Sequence, residues 1–538
     1  MKNKNVTKLK IKSLNDQNMA RLLQAQKSLE AGDYQRALIL AEEIIAKQPD
    51  HPDAYHLIGC VLGGVKNFLA ALNYFNLSIE RHPNNPIALN NRANVYQQLK
   101  QPELAIDDFN RAIKLDPKYA EAYYNKGIVL GSMHRIEEEI ENYNLALKYK
   151  PNFPEAYNNK GIALQKLHRM EETLACYEAG IKQNPKGIEA FYNNRGLVYQ
   201  NLGRPDEALA DYNKAVEIDP NLSDARFNRS LCLLLLGQYE TAWEEHEWRW
   251  NRSVYPRRQL PGILFDGSQD LKGKSLFIHG EQGLGDMLQF CRYAKLAKEA
   301  GATVIIGTEK PLIRLLSTLE GVDILVINGE ILPPFDYHIP LMSLPYAFKT
   351  RMDNIPYGIY LKSDPYLVKE FAPMLLDNGK KNVGLVWSGG FRPDQPEVWA
   401  VNERRNIALS KLLPLKEANV NFYSLQKGEG PEKELEDCAD WKVRMCNHTE
   451  HFKDFADTAA YIASLDLVIA VDTSTAHVAA AMGKEVWLLN RFDTCWRWFM
   501  DRTDSPWYPI IKIYRQPKLG DWESVVQNVK EDLIKWSK

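Results

Sequence analysis

VIAVDTSTAHVAAAMG, residues 468–483, decides how the second half of this 538-residue chain is read. An apolar, β-branched run at 467–471 has the composition of a strand buried on both faces of a parallel sheet, and residues 476–482 form an alanine-rich helix former. Asp472, Thr473, Ser474 and Thr475 therefore occupy the turn from a strand end into a helix start. In open α/β sheets ligands bind at such turns, where the N-terminus of a helix attracts an anion by about 0.3–1 kcal/mol when exposed. Asp472 reads as the helix cap, the three hydroxyls as phosphate ligands, and His477 lies one turn in. Taken alone, the same residues also describe a capped helix with a satisfied interior histidine.

Outward from this turn, strands alternate with helices from Ser275 onward. A strand at 275–279 leads into a glycine loop, 280–286, and an amphipathic helix; 303–307 and 322–327 read as further strands, with another short one in FDYHIPLMSLP, 335–345. A second unit starts at NVGLVWSGG, 382–390, passes through NFYSLQKG, 421–428, and includes the turn at Asp472. Two such blocks in tandem imply two Rossmann-like lobes across a cleft. The glycine loop does not match the GxGxxG fingerprint.

The first half is periodic. Prolines at 49, 83, 117, 151 and 185 are 34 residues apart, and Pro220 follows 35 later. In phase run small residues at Gly59, Ala93, Gly127, Gly161, Gly196 and Ser230, and alanines at 37, 71, 105, 208 and 242. Aromatics recur at Phe75, Phe109, Tyr143, Tyr177 and Tyr212. This order of positions resembles the tetratricopeptide repeat, which implies an α-solenoid of helix pairs over about 18–252 with a concave binding face. Glu139 and Thr173 replace the small alanine, so looser packing is expected there. Asn91, Asn125, Asn159, Asn194 and Asn228 also recur, each followed by Arg or Lys. An amide both donates and accepts, so such a row can pair with an extended peptide's backbone; the alternative is a polar solvated face. It resembles the asparagine ladder of the protein O-linked N-acetylglucosamine transferases, which implies a polypeptide acceptor. Trp243, Trp248 and Trp250, at the end of the array, read as a wedge against the next domain rather than a polymer site.

GEQGLGD (280–286), YSLQKG (423–428) and the long stretch 454–489 around Asp472 are similar to the heptosyltransferase family of inverting GT-B glycosyltransferases. Their fusion to repeats resembles bacterial proteins that glycosylate flagellin and other polypeptides. The resemblance implies a repeat α-solenoid followed by an α/β GT-B fold with two Rossmann-like lobes: a tail at 1–17, repeats at 18–252, a linker at 253–274, and lobes at 275–368 and 369–538. The family's basic stretch after the first strand of the second lobe is NERRNIAL here, so Arg405 and Asn406 align only approximately.

Transfer from a nucleotide sugar needs a base for the acceptor hydroxyl and a sink for the departing phosphate charge. The sequence holds no Asp-x-Asp, so no metal is expected and no cofactor beyond the donor. The sink falls to Lys427 and Arg405 and to the helix start at Asp472, Thr473, Ser474, Thr475 and His477, with Gly283, Gly285 and Gln426 completing the donor side. Asp286 is the expected base, its alternative being a helix cap; His338 and His477 stand in reserve. Trp496, Arg497 and Trp498 either edge the cleft or anchor the core. Two other functions stay open: a non-catalytic repeat scaffold with a remnant sugar-nucleotide fold, and a glycosyltransferase whose acceptor is a glycolipid.

With 45% hydrophobic and 25% charged residues the chain is an ordinary globular one, and a net charge of −2 with a pI near 6.6 argues against nucleic acid or an anionic membrane as partner. No signal peptide or 18-residue apolar run is present, and seven scattered cysteines suit reduced thiols, so the expectation is cytoplasmic. Cys438, Cys446 and His448 have poor spacing for zinc.

Overall fold

The computed structural model describes residues 16–183, 185–252, 257–281, 283–390 and 399–538. The expected tail to residue 15, part of the expected linker (253–256) and residues 391–398 lie outside the described residues. The chain divides into two compact units, Met1–Val198 and Tyr199–Lys538. Among the described residues no helix is long and apolar enough to cross a membrane.

Helix pairs begin at Asp16–Ala31 with Tyr34–Lys47 and recur up to Ser223–Leu235 with Tyr239–His246, which is the periodicity that the sequence predicts. The small positions face the aromatic sixteen residues on. A Cβ added at Gly59 would lie 2.8 Å from the Phe75 ring, at Gly127 2.6 Å from Tyr143, and at Gly161 2.4 Å from Tyr177. The turn inside each pair uses one left-handed residue, Lys66, Lys100, His134 and His168 at φ 55–63°, with glycine doing the same at 32, 203 and 237. Glu139 and Thr173, where looser packing is expected, are both shielded from solvent. Thr173 is fully buried, and Glu139 is buried against Gly131 while accepting from the Tyr143 hydroxyl at 3.2 Å.

The second unit holds the last repeat helices and two all-parallel sheets. The first comprises β1 (Ile263–Leu264), β2 (Ser275–His279), β3 (Thr303–Thr308), β4 (Ile324–Ile327) and β5 (Tyr337–Pro340), in the order β1-β5-β2-β3-β4. The second comprises β6 (Asn382–Val386), β7 (Asn421–Ser424), β8 (Met445–Asn447), β9 (Leu467–Val471), β10 (Val486–Asn490) and β11 (Ile511–Arg515), in the order β11-β10-β9-β6-β7-β8. Alternation places Leu467, Ile469 and Val471 of β9 in a core with helix Trp522–Trp536, and Val468 and Ala470 in the opposite one. That opposite core is continuous: it also takes in Ile278 and Ile306 of the first sheet and Leu234, Tyr239 and Trp243 of the last repeat. Trp243 sits edge-on to Phe290, Trp496 and Trp507, and the Tyr239 hydroxyl accepts from the Trp507 indole at 2.8 Å. The wedge reading holds for Trp243; Trp248 lies under Arg226, and the Trp250 indole donates to Glu247.

Candidate functional site

In each sheet the strand order reverses direction at one place, between β5 and β2 in the first and between β9 and β6 in the second. The carboxyl ends of strands at such a switch point form the crevice where open α/β sheets take ligands. In the second sheet those ends are Trp387-Ser388-Gly389 after β6 and Asp472-Thr473 after β9.

The helix after β9 starts earlier than the alanine run indicates, at Ser474. Asp472 is not its cap; Thr473 is, and its side chain makes no capping bond. Thr473 is nine-tenths buried and its Oγ1 has no partner. The first-turn N–H groups of Ser474, Thr475 and Ala476 have no acceptor within the helix, as at any helix start. Asp472 instead faces His477, with Oδ1 3.8 Å from Nε2. Burial pushes the Asp472 carboxyl up, but His477, Arg405 and Arg497 outweigh it and hold it below the usual carboxylate range. His477 is buried and neutral, its pKa lowered to about 4 by desolvation, and its Nδ1 pairs with the Tyr508 hydroxyl at 2.9 Å. The interior-histidine reading is thus correct for one face of the ring.

The first lobe reaches this cluster through its glycine loop. A Cβ on Gly285 would lie 3.1 Å from His477 Cδ2 and 3.9 Å from Ser474 Cα, so only glycine lets the two helix starts meet without displacing the imidazole. Gly283 caps the helix Leu284–Phe290, and Asp286 stands in its first turn. Asp286 Oδ2 accepts from the Gly283 N–H at 3.0 Å, while Oδ1 pairs with Arg497. Asp286 thus holds a helix start, as its cap alternative has it, and its partly exposed carboxylate lies beside His477. A carboxylate has about four lone-pair positions, so two bonds do not exhaust it. Arg497 is buried and bonded to Gln289, Cys495 and Asp286, with its guanidinium 4.4 Å from the Trp496 ring centre. Burial opposes its charge, but Cys495, Asp286 and Asp472 hold it protonated. Trp496 and Trp498 are buried, the anchoring alternative, although Trp498 also lies against the His477 ring at 5.7 Å.

Three expected donor residues also bond to the loops around them. Gln426 is buried: Oε1 accepts from the N–H groups of Trp387 and Ser388, and Nε2 donates to the Ser388 carbonyl. Lys427 donates to the carbonyls of Thr449 and Phe452 and so pins that turn, leaving one ammonium N–H. Arg405 ends the helix Trp399–Arg405, bonds Asn402 at 2.7 Å and packs so closely on Gly389 that no Cβ would fit there; Asn406 accepts from the Gly389 N–H. His338 is not at the cleft: it pairs with His279 at 3.4 Å and packs on Phe335.

The asparagine ladder is stitched from repeat to repeat. Asn125 donates to Asn90, Asn90 to Asn91, and Asn91 is bonded to His56. Likewise Asn194 donates to Asn158, Asn158 to Asn159 and Asn159 to the Tyr124 hydroxyl. Each of these amides thus spends an N–H inside the array, so part of the row's hydrogen-bonding capacity is used between repeats, and an amide with one donated bond keeps a second N–H. Asn228 stands on the helix Ser223–Leu235 of the second unit, beside Arg229, which is paired to Glu245 at 2.8 Å.

Sequence reasoning did not find Arg497 as the partner of Asp286, nor Tyr508 behind His477. The first pair is separated by 211 residues, and no local spacing announces it.

Tetratricopeptide repeat family models match residues 86–119 and 190–222, 109–141 and 211–244, and 154–186. The chain is similar to Protein FlbA of Caulobacter vibrioides, 27% identical over 337 residues, which are 57% of this chain and 54% of FlbA. It thus spans about half the length of that curated relative. Among solved structures, YrrB, described as a TPR protein with an unusual peptide-binding site, is 22% identical, with 34% of this chain and 95% of that chain covered and a TM-score of 0.30. MamA is 25% identical, with 30% and 95% covered and a TM-score of 0.29.

Proposed function

We propose that the second unit is a GT-B glycosyltransferase, inverting and independent of metal, that moves a sugar from a nucleotide-sugar donor to a polypeptide bound by the repeats. The observation that carries this reading is the meeting, at a strand switch point, of a partly exposed carboxylate with a helix start whose buried Thr473 hydroxyl lacks a partner. In this reading the donor's diphosphate lies on the first-turn N–H groups and Thr473, with Arg405 balancing its charge. Asp286 takes the proton of the acceptor hydroxyl as its oxygen bonds to the anomeric carbon from the side opposite the diphosphate. The bond from that carbon to phosphate breaks, the electron pair leaves on the nucleoside diphosphate, and the anomeric configuration inverts. His477, neutral and wedged against Gly285, keeps the two helix starts in register.

Titration of the full chain with UDP, GDP, ADP and CDP in excess chelator, followed by donor turnover, tests the proposal. One nucleotide is expected to bind without metal. Thr473→Val is expected to weaken it about tenfold, the effect of one lost charge-assisted bond. Asp286→Asn is expected to lower transfer by roughly 10²-fold or more with little change in nucleotide affinity. Binding of no nucleotide, or a need for a divalent ion, overturns the proposal. A non-catalytic scaffold is the second reading, favoured by the engagement of both Asp286 oxygens; a wild-type chain that turns over no donor would support it.

A further inference from the structure

The crevice of the first sheet holds a side chain from the repeat array. At its switch point the carboxyl ends of β2 and β5 run into Gly280-Glu281 and Leu341-Met342-Ser343, and Arg249 fills the space between them. Arg249 comes from the 3-10 helix Glu247–Asn251, directly after the last repeat helix, and is 1% exposed. All five of its N–H donors are used. Nε and Nη2 clasp the Glu281 carboxylate at 3.2 and 2.9 Å, and Nη2 also reaches the Ser343 hydroxyl at 2.7 Å. Nη1 donates to Glu247 at 2.6 Å and to the His246 carbonyl at 3.1 Å. Glu281 in turn accepts from the Met342 N–H at 2.7 Å, and Ser343 donates to Glu247 at 2.8 Å.

A buried ion pair of this kind is a poor source of net stability, because desolvating two charges offsets most of their attraction. Its geometric consequence is larger. Glu281 lies two residues before Gly283, the cap of the helix that carries Asp286, so a clamp on Glu281 sets where that helix starts. We propose that Arg249 is a positioning residue, through which the end of the repeat array fixes Glu281 and thereby the helix start at Gly283 and the placement of Asp286. Its effect on turnover rests on the glycosyltransferase reading; its effect on the loop does not.

The pair of substitutions Arg249→Met and Glu281→Gln removes both charges of the buried pair and keeps an acceptor for the Met342 N–H, while Glu247, partly exposed, keeps the Ser343 and Trp250 donors, so the full chain is expected to stay folded. Hydrogen exchange of the amides in 280–287 is expected to accelerate about tenfold or more, with the sheets unchanged. Turnover is expected to fall by roughly 10–10²-fold, the effect of a small misplacement of a catalytic group, while the Kd for the nucleoside diphosphate moves less than about threefold. Should the double variant prove insoluble, Arg249→Lys, which keeps the charge but not the fork, carries the same expectations at smaller size. Unchanged exchange in the loop overturns the proposal, and so does faster exchange spread evenly over the unit, which marks Arg249 as a residue of general stability. Loosening of the loop with unchanged turnover also overturns it. A wild-type chain that binds no nucleotide and transfers nothing refutes the glycosyltransferase reading instead, and the exchange measurement still decides whether Arg249 holds the loop.

Discussion

His477 shows how burial sets chemistry at the level of one residue. Desolvation lowers its pKa to about 4, so it is neutral in the folded chain at pH 7; His279, lowered to about 3 in the first sheet, follows the same rule. In the unfolded chain both titrate near 6.5. The folded pKa lies below the unfolded one, so unfolding takes up protons as pH drops beneath 6.5, and stability falls from there toward about pH 4 and changes little above 7. A shift of this size corresponds to about 3 kcal/mol for a single histidine. The melting temperature of the full chain is therefore expected to drop between pH 7 and pH 5, and His477→Gln is expected to flatten that slope. A wild-type melting temperature that is flat over the window would show that these imidazoles are not buried in the neutral form.

At the scale of elements, the same register that packs the repeats also consumes their polar groups. Gly127 and Gly161 are small because Tyr143 and Tyr177 occupy the space, and the asparagines that follow the same period bond across to the preceding pair. Each such hydrogen bond nets on the order of 1 kcal/mol, and more where a buried partner is left unsatisfied. Replacing Asn125, Asn159 and Asn194 together by alanine is expected to lower the stability of the first unit by roughly 3 kcal/mol, read in a urea melt. The repeats' affinity for a polypeptide must then be compared at a denaturant-free temperature where the variant is fully folded. A triple variant with wild-type stability would return the ladder to an open, ligand-facing role.

For the whole molecule, the boundary between units falls inside the repeats and not after them. Tyr239 and Trp243 belong to the core that joins both sheets, and Arg249 neutralises Glu281 within it. A chain starting at Ser275 exposes Phe290, Trp496 and Trp507 and leaves Glu281 buried without its partner, which typically costs about 3–5 kcal/mol. We expect residues 199–538 to be soluble and to melt cooperatively, and residues 275–538 to aggregate. Sedimentation and calorimetry of the two fragments check this; a well-behaved shorter fragment would mean that the last repeat is an accessory to the sheet unit.

Periodic and local features were legible in the sequence. The 34-residue rhythm determined the helix pairs, since each rung contacts the next at a fixed offset, and apolar runs determined the strands to within a residue or two, as at 275–279 and 467–471. Only the tertiary structure decided what those elements bring together. Asp286 meets Arg497 across 211 residues and Arg292 reaches the Trp507 carbonyl across 215, pairings that leave no trace in spacing or composition. Lys427 and Gln426, chosen by type and position, also bond to loop backbone, because a buried backbone must satisfy its own polar groups. Residue type and period specify which groups a segment offers; the long-range packing of strand ends specifies which of those groups are left to offer them to a substrate.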